Sequence, residues 1–369
     1  MMVNKTGMFM YVLCVMTVGW LFTANCAFGD LAPATMIIAA SNSIDVSRAD
    51  YQCDGTADEV EIQSAVNALR TDKGGKILLL EGTYNIAAAI SITGNDDNIT
   101  IQGTGKGTVI KVANNTLINA FYFNNVSGVT VKDLVIDGNK ANQTDGGSTY
   151  NQCGIYANGG LRDACFENIV MKNCYYRGFM GRIIQRALFF NCSFIDNGNR
   201  GLMLDGPSST SVSTDNKIVN CTFSGNGSDG LAFGEYAFST YIGGCISRNN
   251  GLFGIYVESG GPSETRSAHM VIEGCIVSGN SSRGVNVSYS NYVTVSNCHI
   301  YDNSGDGILY GAQSSYCTVT GSSITGNSGY GITYTSGSNR IVVGNVVKGN
   351  VSGQINLGAT EEVYHNIVS

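Results

Sequence analysis

The chain has 369 residues, of which 43% are hydrophobic and only 13% charged, with 48 Gly and 3 Pro. Such a mixture excludes a helical bundle, which needs more Ala, Glu and Lys and far less Gly, a disordered chain, and a collagen, because Gly does not recur at every third position. With 21 Lys plus Arg against 28 Asp plus Glu, the formal net charge of −7 speaks against a nucleic-acid binder, which needs a basic stripe.

Residues 1–29 read as a secretory signal peptide. Lys5 is the single charge before the apolar run 8–22, and small residues follow around Cys26 to Gly29. The run is short for a membrane span of about 20 residues. A secreted or cell-surface location is expected, with an uncleaved N-terminal anchor as the alternative. The rest of the chain, 30–369, is read as one domain, with a capping segment at 45–75 and repeated coils at 76–357.

Within the capping segment, Thr56-Ala-Asp-Glu59 has the pattern of a capping box. It predicts a helix running to about Leu69, with Ile62, Ala65, Val66 and Leu69 on one face. Gly74-Gly75 breaks the helix, and Lys76-Ile-Leu-Leu-Leu80 reads as a buried strand. An amphipathic helix here would cover the end of a stack of strands, whose first layer otherwise exposes apolar surface and unpaired edges.

Beyond it the sequence repeats. Cys192, Cys221, Cys245, Cys275 and Cys298 open the segments CSFIDN, CTFSGN, CISRNN, CIVSGN and CHIYDN, at intervals of 29, 24, 30 and 23 residues. A Gly and alternating apolar residues follow each segment, as in Gly201-Leu-Met-Leu and Gly254-Ile-Tyr-Val. A unit of about 23 residues holds three short strands and no helix, too little for a four-stranded propeller blade of about 40. One coil of a solenoid fits. The fold expected is all-β: a single-stranded, right-handed parallel β-helix of roughly 11 coils with an N-terminal capping helix. Asn at the repeated turn is expected to stack inward as an amide ladder, and the Gly to supply turn geometry. The recurrent Cys are expected to be buried free thiols acting as small hydrophobes, not a disulfide framework.

Asp54-Gly-Thr-Ala-Asp-Glu-Val-Glu-Ile-Gln-Ser-Ala-Val-Asn, followed by Gly74-Gly-Lys-Ile-Leu-Leu-Leu-Glu-Gly-Thr-Tyr84, resembles the entry segment of the pectin-lyase-like right-handed parallel β-helix superfamily. The repeats resemble its coils, over about residues 45–357. The resemblance implies the fold, and a range of activities: polysaccharide lyases, glycoside hydrolases, uronate epimerases, carbohydrate esterases, phage tailspikes and non-catalytic surface proteins. The chain has no paired Asp with Gly-His-Gly as in polygalacturonases, no Asp-Pro-His as in mannuronan epimerases, and no Trp-Ile-Asp-His as in pectate lyases. No catalytic residue is carried over by motif.

Repeat register supplies candidates instead. Four or five residues past successive glycines come Arg182, Asp205, Glu235, Glu258, then Ser288 with Tyr289, and Gly311. Three acids and an arginine on neighbouring coils carry mutual repulsion that a ligand, a metal or catalysis would offset. Asp205, Glu235, Glu258 and Arg182 are therefore the candidate catalytic residues. The three acids are also the candidate metal ligands, with Ca²⁺ as the ion or no cofactor at all. Insertions beginning at Asp205 and Glu258, and another at 142–152, would wall a groove, where Tyr236, Tyr256, Tyr289 and Tyr310 are expected to contact sugar rings. Arg162, Arg177, Arg182, Arg186 and Arg200 form a local basic cluster, and Arg200 with Asp229 and Arg283 with Asp306 are expected to be exposed inter-coil ion pairs. Only His269, His299 and His365 are present, too far apart in register for a histidine metal site or a catalytic triad.

The expected partner is a polysaccharide or other glycan. Two readings stand side by side. One is a secreted polysaccharide lyase or glycoside hydrolase acting on an extended, acidic polysaccharide. The other is a non-catalytic surface or adhesion β-helix that binds glycans, or a phage-type host-recognition protein.

Overall fold

The computed structural model describes residues 35–70, 74–94, 96–147, 150–260, 266–357 and 362–368. The expected signal segment lies outside the described residues. Among those described, no helix is long and apolar enough to cross a membrane.

Each coil contributes one strand to each of three parallel sheets, which contain 14, 12 and 12 strands. One coil shows the pattern: Leu188–Phe190 lies in the first sheet, Ser193–Ile195 in the second and Leu202–Asp205 in the third. The chain winds as a right-handed β-helix, and pairing between coils is in register. Ile218, for example, pairs with Phe189 behind it and Ile242 ahead. Alternate residues point inward, so Phe166, Phe179, Phe189, Phe194, Phe223 and Phe233 are fully buried and form a continuous core. Phe166 stacks on Phe189 with centroids 5.0 Å apart, and Phe194 stacks on Phe223, also at 5.0 Å, close to the ~4.8 Å spacing of neighbouring strands.

Asn197, Asn226, Asn250, Asn280, Asn303, Asn327 and Asn350 form the expected inward ladder. Each Nδ2 donates to the next Oδ1 at 2.8–2.9 Å. Each Oδ1 also accepts a backbone N–H of the preceding coil, as Asn280 does from Asn250 at 3.1 Å. Buried amides are therefore satisfied along the axis. The ladder starts one residue later than the repeat alignment suggests: Cys174, not Asn173, donates its N–H to Asn197 Oδ1.

The recurrent glycines serve close approach, not turn geometry. None of Gly178, Gly201, Gly230, Gly254, Gly284, Gly307 and Gly331 has positive φ. A Cβ at Gly201 would lie 2.5 Å from Gly230 O and 3.0 Å from Asn226 Nδ2. The coils pack too tightly there for any side chain.

At the N-terminal end, helix Glu59–Arg70 buries Ile62, Ala65, Val66 and Leu69 completely over the first coils. Thr56-Ala-Asp-Glu59 does not close a reciprocal capping box. Glu59 Oε2 instead accepts the N–H of Ala87 at 2.9 Å, and Asp58 accepts those of Gly55 and Asn85 at 2.8 and 2.7 Å. The same residues thus pin the cap to the first coil. Strand Thr35–Ala39, ahead of the helix, pairs in parallel with Gly75–Leu79, so the stack begins before residue 45. It also runs past 357, through Glu362–Tyr364 and Ile367–Val368.

Among the described residues, nine cysteines are free and buried, including Cys192, Cys221, Cys245, Cys275 and Cys298, as expected for core positions.

Candidate functional site

The outer face of the third sheet carries two rows of outward side chains. One runs Tyr122, Tyr156, Met180, Met203, Ala232, Tyr256, Asn286 and Leu309. In the other, Arg182 pairs with Asp205 and Ser288 with Gly311. Beside them, where each strand begins, are Arg177, Arg200, Asp229 and Phe253, one per coil, linked through the adjoining glycines.

Three of the four expected catalytic residues share the second row. Arg182 and Asp205 are paired, and Leu204, Phe233 and Val257 are successive partners one residue earlier. The residue between Asp205 and Glu258 on that row is therefore Gly234, not Glu235. Glu235 is one position on and exposed, and its carbonyl accepts the Gly206 N–H at 2.8 Å. The alignment fails by a single residue, enough to change the face of a strand. Gly234 is informative itself. A Cβ there would sit 3.1 Å from Met203 Cε and 3.2 Å from Asp205 Cβ. With Ala232 two residues earlier, it leaves a notch one coil wide, flanked by Met203 and Asp205 on one side and by Tyr256 and Glu258 on the other.

Arg182 Nε is 3.7 Å from Asp205 Oδ1, and its guanidinium lies 5.4 Å from the centre of the Tyr150 ring. Tyr150, Tyr156 and Tyr122 follow as a tilted aromatic row with centroids 5.8 Å apart at each step. Burial pushes the Asp205 carboxyl up to about 6, against the opposing pull of Arg182, Arg177 and Arg200 and with help from Glu235. Burial also lowers Arg177, so this cluster is poorly hydrated. Burial and a hydrogen bond to Glu258 raise the Tyr256 phenol, which also senses Arg200 and Asp229. Arg200 itself is bound to Asp229 at 2.6 Å, and Arg283 pairs with Asp306 at 3.4 Å; both expected partnerships form, but Asp229 is fully buried, so the first is not the exposed pair expected.

Two insertions are tied down as walls. In the first, Ser213 Oγ donates to Asp205 O and accepts the Ile184 N–H at 2.9 Å, while the Ser213 N–H donates to Tyr236 O at 3.0 Å. In the earlier one, Gln152 holds Gly146 N and Thr144 O at 3.0 and 2.7 Å, and the Tyr176 hydroxyl donates to Asp145 at 3.1 Å. The insertion at 258–268 falls partly outside the described residues.

The expected tyrosines divide. Tyr256 is in the groove. Tyr236 is at its margin with one face covered by the Arg266 guanidinium, 3.7 Å from the ring centre. Tyr289 is half-buried at the strand end, in left-handed backbone with φ 49°. Tyr310 does not belong to the site. It is fully buried, stacks on Tyr334 at 4.8 Å inside the coil, and its hydroxyl lies 3.3 and 3.2 Å from the carbonyls of Val293 and Thr318. Strand parity is the reason: Tyr310 pairs with inward Val287.

Asp205, Glu235 and Glu258 do not close on one point. Among the described residues, the cluster of three ligand-type side chains within 4.8 Å is Cys53, Asp58 and Glu61 at the cap, where Asp58 is already occupied by backbone N–H groups. Sequence reading missed Tyr122, Tyr150 and Tyr156 as groove residues. The signal for Tyr122 and Tyr156 was the parity of 121–123 and 155–157, where apolar residues flank a single tyrosine; Tyr150 lies in the insertion and carried none.

Three parallel sheets wound as one coil, with a charged and loop-walled outer face on the third, define a parallel β-helix protein. The chain belongs to the family described as right handed beta helix region, whose model matches residues 119–264 and 213–368. A stretch of 104 residues is 32% identical to mannuronan C5-epimerase AlgE6 of Azotobacter vinelandii; it is 25% of this chain and 12% of that protein. Among solved structures, the chain is similar to the A-modules of the A. vinelandii mannuronan C-5 epimerases AlgE4 and AlgE6. The TM-scores are 0.65 and 0.63, both at 20% identity over 85% of this chain and 97% and 96% of theirs. It is also similar to the catalytic domain of a GH87 α-1,3-glucanase, with TM-score 0.58 and 16% identity over 84% of this chain and 63% of that one. At these identities the structural likeness establishes the fold.

Proposed function

We propose that the protein is a carbohydrate-active enzyme that takes a uronate-containing polysaccharide into the groove of the third sheet and removes the proton at C5. That step begins both β-elimination and epimerisation. The observation that carries this reading is Asp205: a carboxyl raised to about 6 by burial, yet surrounded by Arg177, Arg182 and Arg200. Such a group is a competent base near neutral pH. The arginines neutralise the uronate carboxylate, which acidifies the adjacent C–H and stabilises the enolate-like charge that develops. Arg182 thus binds charge and is not the base. Tyr256, hydrogen-bonded to Glu258 on the far side of the notch, is the proton donor. Tyr122, Tyr156 and Tyr150 line the approach to Arg182 and carry neighbouring sugars.

Three features support the reading: the relatives whose names state action on polysaccharides, the walled groove, and the N-terminal signal pattern, which fits a secreted or cell-surface protein. The chain lacks Asp-Pro-His, so the proton-transfer groups are its own. A bound Ca²⁺ would be held by Asp205 and Glu235 and would supply positive charge that neutralises the substrate carboxylate.

Hydrolysis is the second reading, favoured by one observation. Asp205 and Glu258 are two coils apart across Gly234, or about 9.6 Å along the axis at ~4.8 Å per strand, near the spacing of an inverting pair. Purified protein incubated with a panel of polysaccharides separates the outcomes. Elimination gives an ultraviolet-absorbing unsaturated uronate, epimerisation in D₂O gives deuterium at C5 without cleavage, and hydrolysis gives reducing ends alone. Binding with none of the three would identify a non-catalytic glycan-binding β-helix.

A further inference from the structure

Away from the groove, five thiols stand in a row inside the coil. The strands beginning at Ser193, Thr222, Ile246, Ile276 and His299 pair residue by residue. Cys192, Cys221, Cys245, Cys275 and Cys298, each just before its strand, therefore occupy successive rungs. All are 1–2% exposed. Each thiol donates to a carbonyl of the preceding coil, Cys192 to Phe166 O at 3.3 Å, Cys221 to Phe189 O at 3.5 Å and Cys245 to Ile218 O at 3.4 Å, so the sulfurs share one orientation along the row. The row is closed by Ile169 behind and Ser322 ahead, whose Oγ accepts the Cys298 N–H at 3.1 Å. Ser322 shows that the position accepts a hydroxyl, so packing alone does not demand five thiols in succession.

We propose that this row is a binding site for a soft, two-coordinate d¹⁰ cation of the mercury(II) type, held linearly between thiols on neighbouring rungs. Thiolates select soft metals. A metal–thiolate bond of about 2.3 Å, as for zinc, spans ~4.6 Å when two are collinear, close to the ~4.8 Å between rungs. A line of sulfurs cannot offer the tetrahedral set that zinc requires. Binding breaks two S–H bonds, forms two S–metal bonds and releases two protons to solvent, with no change of oxidation state. A divalent ion leaves a neutral bis-thiolate, which a dry interior tolerates far better than a net charge.

Only neighbours can be bridged, so the row holds two ions and leaves one thiol unused. This gives a parity rule. Removing Cys245 leaves two intact neighbour pairs, Cys192 with Cys221 and Cys275 with Cys298. Removing Cys221 isolates Cys192 and leaves three thiols in line, which bridge one ion.

The test loads the full-length chain with mercuric chloride, strips weak sites with excess glutathione, and measures mercury per chain by mass spectrometry. Cys245→Ser is expected to match the unmodified protein, and Cys221→Ser to lose one ion. Equal losses in both variants, or no loss when all five become Ser, overturn the proposal. Should a variant fail to fold, the unmodified protein decides. After loading, four of the five thiols must resist alkylation in denaturant, and full labelling of all five sinks the idea.

Discussion

Arg182 and Asp205 face each other across adjacent coils, Nε to Oδ1 3.7 Å apart, yet the Asp205 carboxyl is held at about 6. Three arginines do not overcome its loss of water. That imbalance separates the pair from a stabilising ion pair such as Arg200 with Asp229, 2.6 Å apart, and it suits a carboxylate that must exchange a proton.

Asp205→Asn should leave the fold intact and lower turnover on the best substrate at least 100-fold, as loss of a general base does. Steady-state rates with circular dichroism as the folding control check this. In the unmodified protein, the proposed reaction should speed up with pH through about 6 as the base deprotonates.

The same substitution has a signed effect on stability. Asp205 titrates higher when folded than when unfolded, where it lies near ~3.9. Between these values the native state holds more proton, so its stability falls as pH rises toward 6. Asp205→Asn should therefore stabilise the protein by about 1–2 kcal/mol at pH 7, discounted for partial solvent screening, and much less at pH 4. Urea denaturation at the two pH values measures the difference.

Gly234→Val should fill the notch between Asp205 and Glu258. The new Cβ would press on Met203 Cε, a flexible end that can yield, and on Asp205 Cβ, which cannot move without its strand, so stability should fall by about 1–3 kcal/mol. Oligosaccharide affinity, read by calorimetry, should drop at least tenfold.

Tyr310→Phe should cost about 1 kcal/mol through the lost hydroxyl bonds to Val293 and Thr318, with polysaccharide binding unchanged. A binding defect would return Tyr310 to the site.

Asn280→Asp should destabilise by about 2–4 kcal/mol. The carboxylate cannot donate to Asn303 Oδ1 or Ser247 O as the amide does at 2.8 and 3.3 Å. Thermal melts should show a lower midpoint with unchanged secondary structure.

The amino-acid sequence by itself determined the architecture. A recurring Cys, Asn and Gly at intervals near 23 residues already contains one coil, because stacked identical positions must all solve the same packing problem. The buried Cys row, the Asn197–Asn350 ladder and the apolar face of the cap helix follow from residue type alone. So do the ion pairs of Arg200 and Arg283, each one coil from its acid. Tertiary structure decided what depends on parity and on distance between coils. Whether Tyr310 points inward, and whether Gly234 or Glu235 stands between Asp205 and Glu258, turns on one residue of register, which a repeat with insertions of varying length does not fix. That the glycines are held by close approach and not by positive φ required the neighbouring coil. The raised Asp205 carboxyl required it most of all, since desolvation arises from everything packed around a group and is written at no single position.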